Sequence, residues 1–186
     1  MVGRVVSVLL VGVLSGCASL DCRHSIFVSV ADQKMVVTRD ARAIAAYPVS
    51  TSKFGLGSEA GSSATPLGRH RVAEKIGENM PLGAVFKSRR FTGEVLPPDS
   101  SGRDPIVTRI LWLDGVEVGN RSSRSRHIYI HGTPEEGKIG MPASYGCVRM
   151  RSEDVVELFD TVGVGAMVEI FQSPLLSRFP SLAPRI

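Results

Sequence analysis

The sequence predicts a mostly β domain with one main helix near its C-terminal end. Short segments that alternate apolar and polar residues, separated by turn-forming residues, recur through most of the chain. Only "SEDVVELFDTV" has helical spacing, with Val155, Leu158, Phe159 and Val162 at i, i+3, i+4 and i+7. The length of 186 residues fits a single domain that can bury its own core.

The first half of the domain is predicted to form a hairpin and two further strands. Segments 26–30 and 35–38 are apolar runs separated by polar residues, which is typical of a hairpin. Segment 43–52 is a third strand, and Pro48 places it at an edge or a bulge because proline has no N–H to donate. After the Gly/Ser-rich loop "FGLGSEAGSSATP", segment 68–76 alternates as a fourth strand.

The second half combines an irregular region with strands around the helix. Residues 77–105 show no clear periodicity and are predicted to be a long loop, either a lid or substrate wall or a plain insertion. "IVTRILWLDGVEV" predicts two strands joined at Asp114 and Gly115, since Asp-Gly is a strong hairpin signal. "HIYIHG" and "AMVEIF" predict two more strands, and Ser152 is the expected N-cap of the helix.

The N-terminal segment "MVGRVVSVLLVGVLSGCASL" has the pattern of an export signal. Its apolar run of about ten residues is shorter than the roughly twenty that span a bilayer. "LSGC", ending at Cys17, resembles the lipobox of bacterial lipoprotein signal peptides, in which the cysteine is lipidated and becomes the new N-terminus. Ala18 follows it, rather than the aspartate associated with inner-membrane retention. We therefore expect a signal peptide over 1–16, a lipidated tether over 17–24, a domain over 25–172 and a tail over 173–186, anchored by lipid at the periplasmic face of the outer membrane.

Charge and composition exclude some partners. The formal net charge is +4 and the basic residues are scattered, apart from the cluster "RSSRSRH" at 121–127. That cluster could favour anionic ligands or be a solvated loop. Aromatic residues are few and no nucleic-acid motif is present, so a nucleic-acid partner is not expected. No internal repeat or second domain is visible, and we expect a monomer.

His131 and Cys147 are the candidate catalytic pair. His131 ends an apolar run, and Cys147 lies in "SYGCV", where Gly146 allows a tight turn. A cysteine becomes nucleophilic when an imidazole or oriented N–H groups lower its pKa from about 8.5. We therefore expect His131 to form an ion pair with Cys147 and to lower that pKa. By themselves, a cysteine and a histidine at arbitrary spacing are more often structural.

The same side chains could also take part in a disulfide or a zinc site. A disulfide between Cys22 and Cys147 is possible in an oxidising compartment, although Cys22 lies in the tether and Cys147 in a motif that needs a free thiol. A zinc site of His127, His131 and Cys147 is rejected, because the two histidines would lie about 13 Å apart along a strand. No metal or other cofactor is expected.

The segment "IHGTP…IGMPASYGCVRM" resembles the signature of the L,D-transpeptidase catalytic domain, the YkuD-type domain. That signature has a His-Gly pair, a spacer of about fifteen residues, and then Ser/Thr-His-Gly-Cys followed by an apolar residue and Arg or Asn. "DQKMVV", "YPVSTSKFG" and "ATPLGRHRV" occur in the order of that family's N-terminal half. The resemblance implies a β-sandwich-like fold, a peptidoglycan substrate and a cysteine acyl-enzyme that releases the terminal D-alanine of a tetrapeptide stem.

The resemblance also implies roles for individual residues. Cys147 would be the nucleophile and His131 the proton donor and acceptor, with the carbonyl of Gly132 orienting the imidazole. The N–H of Gly146, with those of its two neighbours, would face the oxyanion. Tyr145, Arg149 and Ser144 would line the substrate site. Ser144 would serve mainly as a turn residue, and Arg149 would hold the turn or meet a substrate carboxylate, or form a structural salt bridge.

Tyr145 departs from the family pattern, which has a second histidine at this position. With a pKa near 10, a tyrosine cannot take up a proton at neutral pH. Three functions therefore stay open from the sequence: an L,D-transpeptidase that transfers to an amine, a hydrolytic L,D-carboxypeptidase or amidase, and a non-catalytic wall-binding lipoprotein.

Overall fold

The computed structural model describes residues 20–100 and 102–180, so Cys17 and the predicted signal peptide lie outside the described residues. This part of the chain forms ten strands and one α-helix. The strands are β1 His24–Ser29, β2 Lys34–Arg39, β3 Arg42–Pro48, β4 Gly68–Ile76, β5 Ala84–Lys87, β6 Arg90–Val95, β7 Ile106–Gly115, β8 Tyr129–Gly132, β9 Val148–Met150 and β10 Met167–Phe171, and α1 spans Ser152–Thr161. Three 3-10 turns lie at Val118–Ser123, Glu136–Lys138 and Leu175–Ser177. None of these helices is long and apolar enough to cross a bilayer.

The strands form one sheet that branches at β7. The main path runs β3-β2-β1-β10-β4-β7-β5-β6. The first residues of β7 pair with β5, whereas its second half pairs with β8, which in turn pairs in parallel with β9. The register of β7 against β8 shifts between Val107 and Ile110, and this bulge marks the branch point.

The main hydrophobic core lies between the two arms of the sheet. Strands β1, β2, β10 and β4 contribute buried side chains from one side, and β8, β9 and α1 contribute them from the other. In α1 the residues with helical spacing, Val155, Leu158 and Phe159, are buried in this core. The arrangement is the mostly β, sandwich-like fold with one main helix that the sequence predicts, so the fold class is confirmed.

Several predicted elements are confirmed. β1 and β2 form the expected antiparallel hairpin, and β3, which ends at Pro48, is the outermost strand of the main path. β4 has the predicted bounds, and β8 and β10 lie where the last strands were expected.

The prediction of a featureless loop over 77–105 is wrong. This segment contains the hairpin of β5 and β6, joined through Ser88 and Arg89, which both have positive φ. The Gly or Asn that normally indicates such a turn is missing. All six residues of β6 are exposed, so this strand also lacks the alternation that predicts a half-buried strand.

The predicted hairpin at Asp114 and Gly115 is also wrong. Both residues belong to β7 and pair with Arg71 and His70 of β4. A Cβ at Gly115 would lie 1.9 Å from the carbonyl oxygen of Asn120, so the glycine admits the close approach of the following 3-10 turn.

The folded domain extends beyond the predicted limits of 25–172. At the N-terminal end the Asp21 carboxylate accepts hydrogen bonds from the N–H groups of Gly163 (2.7 Å), Arg23 and His24. Burial alone would raise the pKa of Asp21, but these bonds lower it to about 2. At the C-terminal end Leu175 is buried against Val36 and Phe171. Parts of the predicted tether and tail are therefore folded.

Ser152 does not cap α1 as predicted. The N-cap is Arg151, without a side-chain cap. The N–H of Ser152 donates instead to a carboxylate oxygen of Glu136 at 2.8 Å, and its hydroxyl accepts from Thr108. The acidic group at the start of the helix thus comes from a neighbouring loop, which sequence spacing cannot reveal.

Candidate active site

The pairing of β8 with β9 brings His131 and Cys147 to one face of the sheet. Ile130 pairs with Val148 and His131 with Arg149, so Cys147, one residue before β9, lies beside Tyr129. Ile130 and Val148 point into the main core, whereas Tyr129 and Cys147 belong to the cluster on the opposite face. Side chains two residues apart share a face and lie about 6.6 Å apart, and neighbouring strands lie about 4.8 Å apart, which gives roughly 8 Å between the Cα atoms of His131 and Cys147.

Both side chains line one small open cavity of about 190 Å³. The other lining residues are Asp104, Ile106, Ser144, Tyr145 and Arg149. All the site residues that the sequence singled out, apart from the glycines and Cys17, therefore converge here. Asp104 and Ile106 are additional members.

The imidazole of His131 is held in one orientation. Its Nδ1 lies 2.8 Å from the carbonyl oxygen of Gly132, and the ring is buried. Since a carbonyl can only accept, Nδ1 carries the proton in this bond, and Nε2 of the neutral ring is left as a proton acceptor. This is the hydrogen bond that the family resemblance assigns to Gly132.

Gly132 also fits where no other residue would. A Cβ there would lie 2.7 Å from the carbonyl oxygen of Val107 and 3.1 Å from the Cβ of Thr108. These two atoms belong to the bulge of β7, where Thr108 has a φ of 70°. A β-branched residue rarely adopts this conformation, and such strain is typical of functional sites. The bulge thus packs against the backbone of Gly132, the residue that follows His131.

The Cys147 thiol contacts two backbone groups. The N–H of Tyr129 donates to Sγ at 3.4 Å, and the thiol donates to the carbonyl oxygen of His127 at 3.4 Å. Cys22 and Cys147 are both unpaired, which excludes the disulfide between them. No group of three or more His, Cys, Asp or Glu side chains in 20–100 and 102–180 is placed to hold a metal ion.

The pKa shifts of both side chains favour their neutral forms over the expected ion pair. Burial raises the pKa of the Cys147 thiol to about 11, although the bond from Tyr129 N–H acts in the other direction. Burial likewise lowers the pKa of His131 to about 4, against the effect of the Gly132 carbonyl. Both shifts favour the uncharged thiol and the uncharged imidazole near neutral pH.

The turn before Cys147 is closed by Ser144. Its hydroxyl donates to the carbonyl oxygen of Cys147 at 2.6 Å and accepts from the N–H of Gly146 at 3.2 Å. Ser144 is almost fully buried, so it is a turn residue and its hydroxyl does not face substrate. Gly146 has a φ of 118°, which explains the glycine.

These bonds change the expected oxyanion donors. The Gly146 N–H, expected to face the oxyanion, is already bound to Ser144. Among the described residues, neither the Tyr145 nor the Cys147 N–H has a hydrogen-bond acceptor. Of the three N–H groups expected to face an oxyanion, those of Tyr145 and Cys147 therefore have no acceptor within the described residues.

Arg149 forms a buried ion-pair network. Its side chain is 1% exposed, and Nη1 contacts carboxylate oxygens of Asp104 and, at 3.1 Å, Glu135. Asp104 also accepts from the hydroxyl of Thr133. Of the alternatives left by the sequence, the structural salt bridge is thus present, and Nε and Nη2 have no partner among the described residues. The sequence did not predict these two partners of Arg149, because Asp104 lies in the irregular segment 77–105 and Glu135 lies in the spacer of the motif, where the resemblance assigns no roles.

The sequence is similar to known proteins over most of the residues that the structure describes. A model of the YkuD family, the L,D-transpeptidase catalytic domain, matches residues 23–170. Probable L,D-transpeptidase YbiS of Escherichia coli (strain K12) is 46% identical over 97 residues, which make up 51% of this chain and 28% of YbiS. YqjB of Bacillus subtilis (strain 168), which also carries an L,D-transpeptidase name, is 29% identical over 146 residues, 78% of this chain and 69% of YqjB. The chain thus spans less than a third of YbiS.

The fold is similar to that of solved L,D-transpeptidases. L,D-transpeptidase 3 from Mycobacterium tuberculosis, in complex with a faropenem-derived adduct, superposes with a TM-score of 0.53 at 17% identity. The superposition covers 81% of this chain and 60% of the other. At this identity the similarity concerns the fold.

Proposed function

The chain belongs to the L,D-transpeptidase catalytic domain family, and we propose that it acts as a peptidoglycan L,D-transpeptidase through a cysteine acyl-enzyme. It would cleave the amide after the third residue of a tetrapeptide stem, release the terminal D-alanine and pass the acyl group to an amine. The observation that carries the proposal is the shared cavity of Cys147 and His131, with His131 Nδ1 bound to Gly132.

In the first half-reaction, His131 Nε2 takes the thiol proton as Cys147 Sγ attacks the scissile carbonyl carbon. Because both groups are neutral at rest, proton transfer accompanies attack on bound substrate. The Tyr129 N–H, 3.4 Å from Sγ, stabilises the sulfur as charge develops on it. The oxyanion is bound by the N–H groups of Tyr145 and Cys147. The intermediate collapses as protonated His131 gives its proton to the leaving amine, which departs as D-alanine.

The second half-reaction reverses these roles. The acceptor amine loses a proton to His131 Nε2 and attacks the thioester, a new amide forms, and the thiol leaves with the proton held by His131. Throughout, the Gly132 carbonyl keeps Nδ1 protonated, so that Nε2 remains the nitrogen that exchanges protons with the reacting groups.

We further propose that the chain is anchored by lipid at Cys17, at the periplasmic face of the outer membrane, with the tether holding the domain near its polymeric substrate. The support is the pattern "LSGC" followed by alanine. Several acyl chains would give firm attachment, since each buried CH₂ contributes about 0.8 kcal/mol.

The proposed activity is tested by incubating the purified full chain with disaccharide tetrapeptides and determining product masses. Cross-linked dimers with loss of D-alanine are the expected products. Shortened monomers alone would indicate a hydrolase, and unchanged substrate would indicate a protein that does not turn over. The Cys147→Ala chain is the control for each product.

A further inference from the structure

An exposed aromatic and cationic group borders the reactive cavity. Tyr145, two residues before Cys147, is 61% exposed and packs its ring against Phe54, which is 53% exposed, at a centroid distance of 5.4 Å. The ammonium of Lys53 lies 3.0 Å from the Tyr145 hydroxyl and 4.3 Å from the centre of its ring. We call Lys53, Phe54 and Tyr145 the rim cluster.

The backbone fixes the rim cluster beside the nucleophile. The N–H of Lys53 donates to the carbonyl oxygen of Ser144 at 3.2 Å, and Ser52 forms a parallel bridge with Ser144. Ser144 is itself bonded to the Cys147 carbonyl. The segment that carries Lys53 is therefore tied to the same turn that presents the thiol, and the position of the cluster does not depend on long flexible side chains alone.

The rim cluster has two hydrogen-bond donors and contains no carboxylate. Lysine can only donate, so the phenol oxygen accepts in the 3.0 Å bond and its own O–H stays available to donate. Among the described residues, no carboxylate forms an ion pair with Lys53. An ammonium and a hydroxyl 3.0 Å apart match the two oxygens of a single carboxylate.

The cluster also explains the departure from the family pattern. The family has a histidine where this chain has Tyr145. A phenol, unlike a neutral imidazole with an unprotonated acceptor nitrogen, can accept from Lys53 through its oxygen and still donate from that same oxygen. The exposed faces of Phe54 and Tyr145 supply an apolar wall beside the two donors, suited to a small aliphatic side chain such as a methyl group.

We propose that the rim cluster binds the free α-carboxylate of the leaving D-amino acid, with its side chain against Phe54 and Tyr145. The inference rests on the proposed function, because it assigns the carboxylate to the residue released at Cys147. In the substrate, that carboxylate lies one residue beyond the scissile carbonyl. In the protein, Tyr145 lies two residues before the nucleophile Cys147. The chain would thereby select stems that end one residue after the scissile bond.

The test compares two substrates on five proteins. The substrates are a stem tetrapeptide with a free C-terminal carboxylate and the same peptide with a C-terminal amide. The proteins are the full chain, Lys53→Met, Lys53→Arg, Tyr145→Phe and, as matched control, Lys34→Met, which removes the same charge as Lys53→Met from an exposed position on β2. Release of the last residue gives kcat/KM for each combination.

We expect Lys53→Met to lower kcat/KM for the acid about tenfold and for the amide less than twofold, as for a lost hydrogen bond to a charged group. Tyr145→Phe should act in the same direction, Lys53→Arg should retain the preference for the acid, and Lys34→Met should change neither rate. An acid-to-amide ratio that Lys53→Met leaves unchanged, or that Lys34→Met lowers as much, overturns the inference while the proposed function stands. If the unaltered chain processes neither peptide, both fail.

Discussion

Nδ1 of His131 lies 2.8 Å from the carbonyl oxygen of Gly132, the residue that follows it on β8. The bond places the proton on Nδ1 and leaves Nε2 of the neutral ring as a proton acceptor. The residue that supplies the carbonyl is a glycine, because the bulge of β7 fills the space where a Cβ would be. The carbonyl that sets the tautomer of His131 thus belongs to a position that the neighbouring strand restricts to glycine.

Gly132→Ala should therefore lower both stability and activity. The added Cβ would lie 2.7 Å from the Val107 carbonyl oxygen, and the backbone must move to admit it. We expect a loss of about 2 kcal/mol in the free energy of unfolding, as for overpacked sites. Urea denaturation measures this loss. Gly119→Ala, where nothing lies within 4 Å of the new Cβ, is the matched control and should be near neutral. Equal effects of the two changes would contradict the role of the bulge.

Alkylation of Cys147 at rest should need alkaline pH. In a chain carrying Cys17→Ser and Cys22→Ser, Cys147 is the only thiol. Burial raises its pKa to about 11, so the iodoacetamide rate against pH should have a midpoint above the reference of about 8.5. His131→Gln should barely move this midpoint, because His131, with a pKa of about 4, is already neutral at these pH values. A midpoint below 8.5 that rises in His131→Gln would show that His131 and Cys147 do form the ion pair.

Removing the carboxylates around Arg149 should cost more than removing Arg149 itself. The double change Asp104→Asn and Glu135→Gln leaves a guanidinium that is 1% exposed without a counter-charge. We expect a loss of about 3 kcal/mol or more in the free energy of unfolding. Arg149→Met fills the same space without charge, and the carboxylates it leaves are partly exposed, so the loss should be smaller. Chemical denaturation measures the free energy of unfolding of both variants. A larger loss in Arg149→Met than in the double variant would show that the unpaired buried charge of Arg149 is not the dominant destabilising effect.

Lipidation at Cys17 predicts membrane attachment of the full chain. When produced in a bacterium that processes lipoproteins, the chain should fractionate with membranes and lose residues 1–16. Cys17→Ser should accumulate as the unprocessed precursor, whereas Cys22→Ser should be processed normally. Recovery of the unaltered chain as a soluble species with a free N-terminus would refute the anchor.

Local pattern was sufficient for some elements and not for others. The helix and the strands around His131 were predictable because their apolar spacing reports burial directly. β5 and β6 were not predictable, because β5 is only four residues long, β6 is exposed and has no apolar pattern, and Ser88 and Arg89 are unusual at a tight turn. At Gly115, a dipeptide that usually makes a turn serves a close tertiary contact instead.

The candidate site, too, was predictable from the sequence only in part. A motif predicted the nearness of His131 and Cys147 and the bond to Gly132. The pKa shifts of the two side chains run against the expected ion pair, because they depend on burial by residues distant in sequence. Asp104 and Lys53 come from segments far from the motif, and the contact of Glu135 with Arg149 depends on how the chain folds back, so these three residues were found only in the structure.

Whether Cys147 forms the acyl-enzyme is measured by the mass of the intact protein after reaction with faropenem or a stem tetrapeptide. We expect one covalent adduct on the full chain, mapped to Cys147 by peptide analysis. His131→Gln should form it far more slowly, and Cys147→Ala should not form it although it folds normally. The same adduct on the Cys147→Ala chain would show that Cys147 is not the nucleophile.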